Sequence, residues 1–378
     1  MPLRSIFFLF PSNIHKIASF STMTRHCSSI SPPAANNKHI YIVDCGSRSS
    51  RVWSYERDDP LSGATLVMEL GALHLELAEG RGSNFVDELL TSISDKHPDD
   101  DDDRIENTQI SIIGTGGIRN AIQEATVFEK DLDSFQSLLQ SQSPCATYET
   151  LNGFQEAALE RRACLYALDA FNFGGHSSYT SDQVTVISMG GASFQVSTAN
   201  KVLSVEAGIK YVFANGETVE FLNFLSSNQS PIKAVKKWTE TTVNCLKEYF
   251  EPEISKIQAE KKKNVLFAGI GTTYWAAHDC DIANRFIKVQ DATEKINLKI
   301  NEMLANDIYL KKLKEETGKE QQKIMEEISR LILLREILQR VCSDDATIIF
   351  RRRWINRTKD VTTNLPFGKF LEITSKKN

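Results

Sequence analysis

Apolar and β-branched residues run from Ile40 to Val43, give way to a Gly/Ser-rich stretch, and resume over Arg51–Arg57. That pattern predicts a strand, a tight turn and a second strand. Thr65–Leu77 predicts a further strand or two around Gly71, while Asn84–Ser94 spaces its apolar residues as a helix does. Gln109–Ile113 predicts a strand ending in Gly114-Thr115-Gly116-Gly117, and Ala125–Leu139 and Glu156–Phe171 predict helices. Then the pattern restarts. Gln183–Ser188 is a strand, Gly190-Gly191-Ala192-Ser193 a turn, Phe194–Ser197 a strand, and Val202–Val212 continues the sheet. Helices follow over Glu217–Leu225 and Ile232–Lys261, and a strand over Asn264–Ala268 runs into Gly269-Ile270-Gly271. Asp291–Val341 is long, charged and helix-forming with a gap near Gly318, and Ala346–Phe350 reads as a last strand.

The restart is an internal symmetry at domain scale. It predicts two similar α/β lobes with a cleft between them, each offering one Gly/Ser hairpin turn to that cleft. The expected boundaries are a leader at 1–38, lobe I at 39–160, and lobe II at 161–378 with a helical C-terminal extension. A chain of 378 residues with 41% apolar and 25% charged residues can bury full cores without disulfide staples. The leader holds Arg4, Lys16, Arg25 and Lys38 and no acid, the composition of an organelle transit peptide. It would take the chain to a mitochondrion or another organelle. The alternative is a disordered leader before Met23, itself a candidate start, on a cytoplasmic protein. The net charge of −5 argues against a nucleic-acid binder, and the early apolar run Ile6–Phe10 is too short to span a bilayer. Seven scattered cysteines without a CxxC pair read as reduced thiols of an intracellular protein. The five aspartates within His97–Arg104 read as a solvated loop rather than a metal site, and the sequons at Asn228 and Asn356 carry little weight. Oligomeric state is left open.

The chemistry concentrates in the two turns. In Asp44-Cys45-Gly46-Ser47-Arg48-Ser49-Ser50-Arg51, Gly46 permits a tight backbone turn. Its neighbours can aim several N–H groups one way, and Ser47 and Ser49 add hydroxyls, a suitable nest for phosphate. Asp44 ends a buried strand, where an acid needs a partner or a ligand to hold. The plainer reading is a hairpin whose turn amides Asp44 satisfies. The second turn, Gly190-Gly191-Ala192-Ser193 before Phe194-Gln195, tips the balance, because two such turns facing each other would grip a phosphate from both sides.

Asp-x-Gly-Ser-x-Ser-x-Arg at 44–51 resembles the first motif of the exopolyphosphatase/guanosine pentaphosphate phosphatase family, and Gly-Gly-Ala-Ser-x-Gln at 190–195 resembles the fourth motif of the apyrases. Both families belong to the actin, sugar kinase and Hsp70 ATPase superfamily. Thr115–Ala121, Asn152–Ala157 and Leu266–Gly271 resemble their intervening and late motifs, so the order holds over about residues 39–280. The resemblance implies two ribonuclease H-like lobes and a phosphohydrolase that cleaves terminal phosphoanhydrides of nucleotides or polyphosphate. It implies Glu156 as the base that activates water, Arg119 as a phosphate-neutralising fork, Arg51 as substrate contact or brace, and Asp44 as holder of Mg²⁺ or Ca²⁺ through waters. The implied phosphate binders are Gly46, Ser47, Arg48, Ser49, Arg51, Gly190, Gly191, Ala192, Ser193 and Gln195.

Three positions depart from that pattern. Ser188 stands where the families place an Asp, so the second carboxylate of the metal site is missing. Gln155 replaces the first Glu of the third motif, and Arg48 replaces a small or polar turn residue. The expected consequence is weak metal binding without substrate. Either Arg48 partly substitutes for the metal, or the site binds without turnover, which is the alternative of a nucleotide or polyphosphate sensor of the same fold.

Overall fold

The computed structural model describes residues 38–96, 107–171, 179–191, 193–205, 266–306, 309, 311–312, 318–342, 344–355 and 359–375. The leader, the Asp-rich run at 97–106, both expected helices between 217 and 261, the sequons and Ala192 lie outside them.

Two sheets repeat one plan. In the first, β1 (His39–Cys45) pairs antiparallel with β2 (Ser50–Glu56), which pairs with β3 (Thr65–Leu70). On its other edge β1 runs parallel to β4 (Gln109–Gly114), followed by β5 (Ala146–Thr150), giving the order β3-β2-β1-β4-β5. The second sheet sets β6 (Val184–Met189) against β7 (Phe194–Ser197) and β8 (Val202–Val205) on one side. On the other lie β9 (Leu266–Gly271), β11 (Thr347–Phe350) and the added edge strand β10 (Phe286–Lys288). The order is β8-β7-β6-β9-β11-β10, so the first five strands match the first sheet position by position.

Strand parity sorts the side chains into three cores. Tyr41, Val43 and Cys45 face outward with Leu89 of α2 (Gly82–Lys96), Ile118 of α3 (Gly116–Gln123) and Leu139 of α4 (Glu129–Gln142). Ile40 and Ile42 face inward and share a core with Val184, Val186, Leu266 and Ala268 of the second sheet. Two helices fill that middle layer: α5 (Gly153–Phe171), through Leu159 and Ala163, and a C-terminal helix at Leu365–Ser375, through Phe367 and Phe370. Ile187 and Met189 face the opposite way, toward α6 (Thr272–Asp279), α7 (Val289–Ala305) and α8 (Gly318–Val341). The C-terminal helix, α9, lies so close to α5 that a Cβ on Gly368 would sit 2.0 Å from Leu159 O.

Three expectations change. Leu73–Ala78 is a short helix, α1, and not part of a strand, because Leu73 and Leu77 are buried one turn apart while Leu75 is exposed. The helix expected from Ala125 begins at Glu129. Ala346–Phe350 is not the last strand: β12 (Arg353–Ile355) and β13 (Asp360–Thr362) form a further antiparallel pair before α9. Among the described residues no helix is long and apolar enough to cross a membrane. Cys45, Cys145, Cys164 and Cys280 are buried free thiols.

Candidate active site

The duplication extends to the turns. Cys45 pairs with Ser50 and Gly46 N donates to Ser49 O at 3.1 Å; Met189 pairs with Phe194 and Gly190 N donates to Ser193 O at 2.8 Å. Each hairpin therefore closes a four-residue loop in the same way. The N–H groups of Gly46 and Gly190 are spent on that closure. Asp44 and Ser188 occupy equivalent places, two residues before the turn glycine, opposite Arg51 and Gln195 respectively. Parity with Ile42 and Val186 points both inward, toward the layer that holds α5.

The start of α5 is built to present an acid there. Asn152 N donates to Gln155 Oε1 at 2.8 Å and Gln155 N donates to Asn152 Oδ1 at 2.9 Å, a reciprocal cap on the first turn. The departure at Gln155 is thus a capping residue, and an amide serves there as well as a carboxylate. Glu156, next in line, is buried. Arg119 Nη1 donates to Glu156 Oε1, and Gln195 Nε2 donates to Glu156 Oε2 at 3.1 Å and to Ser193 Oγ at 2.8 Å. Gln195 so ties α5 to the second turn. On the other side, α3 packs against the first turn: Thr115 Oγ1 donates to Cys45 O at 3.1 Å, and a Cβ on Gly117 would stand 2.7 Å from Ser47 Cα.

These groups surround a cavity of about 560 Å³. It is lined by Asp44, Gly46, Ser47, Arg48, Ser49 and Arg51 from the first hairpin, Gly190, Gly191, Ser193 and Gln195 from the second, and Glu156 between them. The structure thus brings together the residues singled out from the sequence, with two exceptions. Ala192 lies outside the described residues. Arg119 does not line the cavity; its guanidinium donates to Leu151 O at 2.6 Å and pairs with Glu156. Its charge holds the Glu156 carboxylate. Two other arginines are also engaged. Arg48 pairs with Glu326 of α8, across the cavity, and Arg51 lies 3.4 Å from Glu69, which also accepts from Ser49. Glu69 on β3 thereby braces the first turn.

Sequence reasoning missed Glu160. It lies one helical turn beyond Glu156 on α5 and lines the same cavity. Ser188 Oγ donates to Glu160 Oε1 at 2.7 Å, while the buried Glu160 Oε2 has no hydrogen-bond partner. Burial pushes Glu160 up to about 8, opposed by the Ser188 bond and reinforced by the charges of Glu156 and Asp44. Burial likewise pushes Asp44 up to about 6, with Arg51 pulling the other way. Helical spacing of the two glutamates was the available signal. Trp275, Arg330 and Arg352 line the cavity too, with the Arg352 guanidinium 5.5 Å from the centre of the Trp275 ring. At the glycine-rich strand end, Gly271 has φ +65° and a Cβ there would lie 2.9 Å from Met189 O, so the chain needs glycine to turn from β9 into α6.

No cluster of three or more Asp, Glu, His or Cys side chains that could hold a metal ion is found among the described residues. Asp44 and Glu160 are a smaller set of hard oxygen donors on the cavity wall. Glu160 Oε2, without a hydrogen-bond partner, is one such donor left open. Such a set fits Mg²⁺ or Ca²⁺ when water and substrate phosphates complete the coordination.

No protein-family model matches the sequence, and no curated protein matches it. Solved structures do match. The type II variant of the Aquifex aeolicus Ppx/GppA phosphatase superposes with a TM-score of 0.54 at 16% identity, over 90% of this chain and 100% of that one. An exopolyphosphatase from Cytophaga hutchinsonii gives 0.52 at 13% identity, over 89% and 98%. Nucleoside triphosphate hydrolases from Neospora caninum give 0.51 at 10% identity, over 90% and 93%. The chain therefore has the duplicated α/β fold shared by Ppx/GppA phosphatases and nucleoside triphosphate hydrolases, the fold its motifs resemble.

Proposed function

We propose that this chain is a phosphohydrolase that cleaves terminal phosphoanhydride bonds of nucleotides or polyphosphate. The observation that carries the reading is Glu156: a buried carboxylate on the cavity wall, fixed by Arg119 and Gln195, between two hairpin turns of identical closure. The turns would take the phosphate chain from two sides through Ser47, Ser49, Ser193 and the backbone beside them. Glu156 would accept a hydrogen bond from water and take its proton as the oxygen attacks the terminal phosphorus in line. Gln195, shared between Glu156 and Ser193, keeps the base in register with the second turn. Asp44 would help hold a divalent cation, which when bound neutralises charge on the phosphates.

A second reading, a nucleotide or polyphosphate sensor, is favoured by one feature. Both oxygens of Glu156 already accept hydrogen bonds, one of them from a guanidinium, which weakens it as a base. Phosphate release from ATP, ADP, guanosine tetraphosphate and polyphosphate, with and without Mg²⁺ or Ca²⁺, separates the two. Release that requires metal supports the hydrolase; tight binding without release supports the sensor.

A further inference from the structure

Glu160 is a half-buried acid on the cavity wall that the proposed water attack does not use. Its side chain reaches from α5 to Ser188, the place in the second sheet that corresponds to Asp44 in the first. One of its oxygens accepts from Ser188 Oγ and the other is buried with no partner. A carboxylate removed from water without a counter-charge is costly. Four of the arginines nearby have other acids as partners, Arg119 on Glu156, Arg48 on Glu326, Arg330 on Asp279 and Arg51 on Glu69, and Arg352 lies over the Trp275 ring. Asp44 and Glu160 line the same cavity, and one Glu160 oxygen there has no hydrogen-bond partner.

We infer that Glu160 and Asp44 together hold one divalent cation, Glu160 supplying from the helix the carboxylate that the second sheet lacks at Ser188. The inference rests on the phosphohydrolase reading only for what the cation is used for. Two carboxylates from different elements leave coordination positions to water and phosphate oxygens, the arrangement Mg²⁺ favours. It also explains how a serine can stand at position 188: its hydroxyl orients Glu160 instead of binding the metal itself.

The test is metal binding by the full chain without nucleotide, followed by the spin signal of Mn²⁺ and by calorimetry with Mg²⁺. Wild type should bind one ion. Glu160→Gln, which keeps the shape and can keep the Ser188 bond, should weaken binding by about tenfold or more, and Asp44→Asn should do the same. Adding Ser188→Asp to Glu160→Gln should restore it, showing that charge and not fold was lost. No binding by wild type at millimolar Mn²⁺, unchanged binding in Glu160→Gln, or failure of the rescue each overturns the assignment. Phosphate release measured on the same proteins keeps the two claims apart. Metal binding lost in Glu160→Gln with no hydrolysis in wild type removes the enzyme and keeps the site, while hydrolysis with metal binding indifferent to Glu160 does the reverse.

Discussion

Replacing Glu160 by Gln should change how stability responds to pH. In the folded chain the carboxyl is pushed from 4.5 up to about 8. Between those values the folded state keeps a proton that the unfolded state has released. Stability from this group is therefore fully present below the unfolded value and is lost as pH rises through the folded one. At about 1.4 kcal/mol per pH unit, the loss between about pH 5 and about pH 9 is roughly 5 kcal/mol. Asp44, raised to about 6, adds a smaller loss of the same sign at lower pH. Gln cannot ionise, so the variant should melt near the wild-type temperature at about pH 5 and well above it at about pH 9, both in the presence of chelator. Thermal melts followed by circular dichroism across that range are the assay. Saturating Mg²⁺ should remove much of the wild-type slope. Parallel melting curves for the two proteins at every pH would show that Glu160 is hydrated and that its burial is misjudged.

Gly368→Ala should destabilise the chain by about 2 kcal/mol or more, because the new methyl would meet the Leu159 backbone and α9 cannot withdraw without opening the middle core; an unchanged denaturant midpoint would contradict that packing. Gly117→Ala should push the first turn out of place through Ser47 and weaken tripolyphosphate binding by about tenfold, with secondary structure intact by circular dichroism. Arg48→Ala, which breaks an ion pair whose arginine is more than half exposed, should alter stability by no more than about 1 kcal/mol in a denaturant titration.

What the sequence made legible is local. Ile40–Val43 and Gln183–Ser188 are strongly β-forming and each ends at a glycine turn, so both hairpins and their duplication could be read directly. Leu73-His74-Leu75-Glu76-Leu77 alternates as a strand does, and only the burial of Leu73 and Leu77 against the first sheet makes it a helix. The two glycines at the head of α3 hid that helix, and the three-residue strands β12 and β13 are too short to leave a period. At the site, the turns and Glu156 follow from motif and order. The partners do not. Arg119 meets Glu156, Arg48 meets Glu326, and Ser188 meets Glu160 only because the middle layer folds back between the two sheets. A missing carboxylate was readable at Ser188, and the acid lying beside it was not.

The claim that Glu156 activates water is tested most directly by turnover and affinity measured on one preparation of Glu156→Gln beside wild type. With Mg²⁺ and either ATP or polyphosphate as substrate, the amide should bind about as tightly as the acid, and phosphate release should fall by about 10²–10⁴. An unchanged kcat would contradict the account and leave Glu156 as the acid that anchors Arg119 and Gln195.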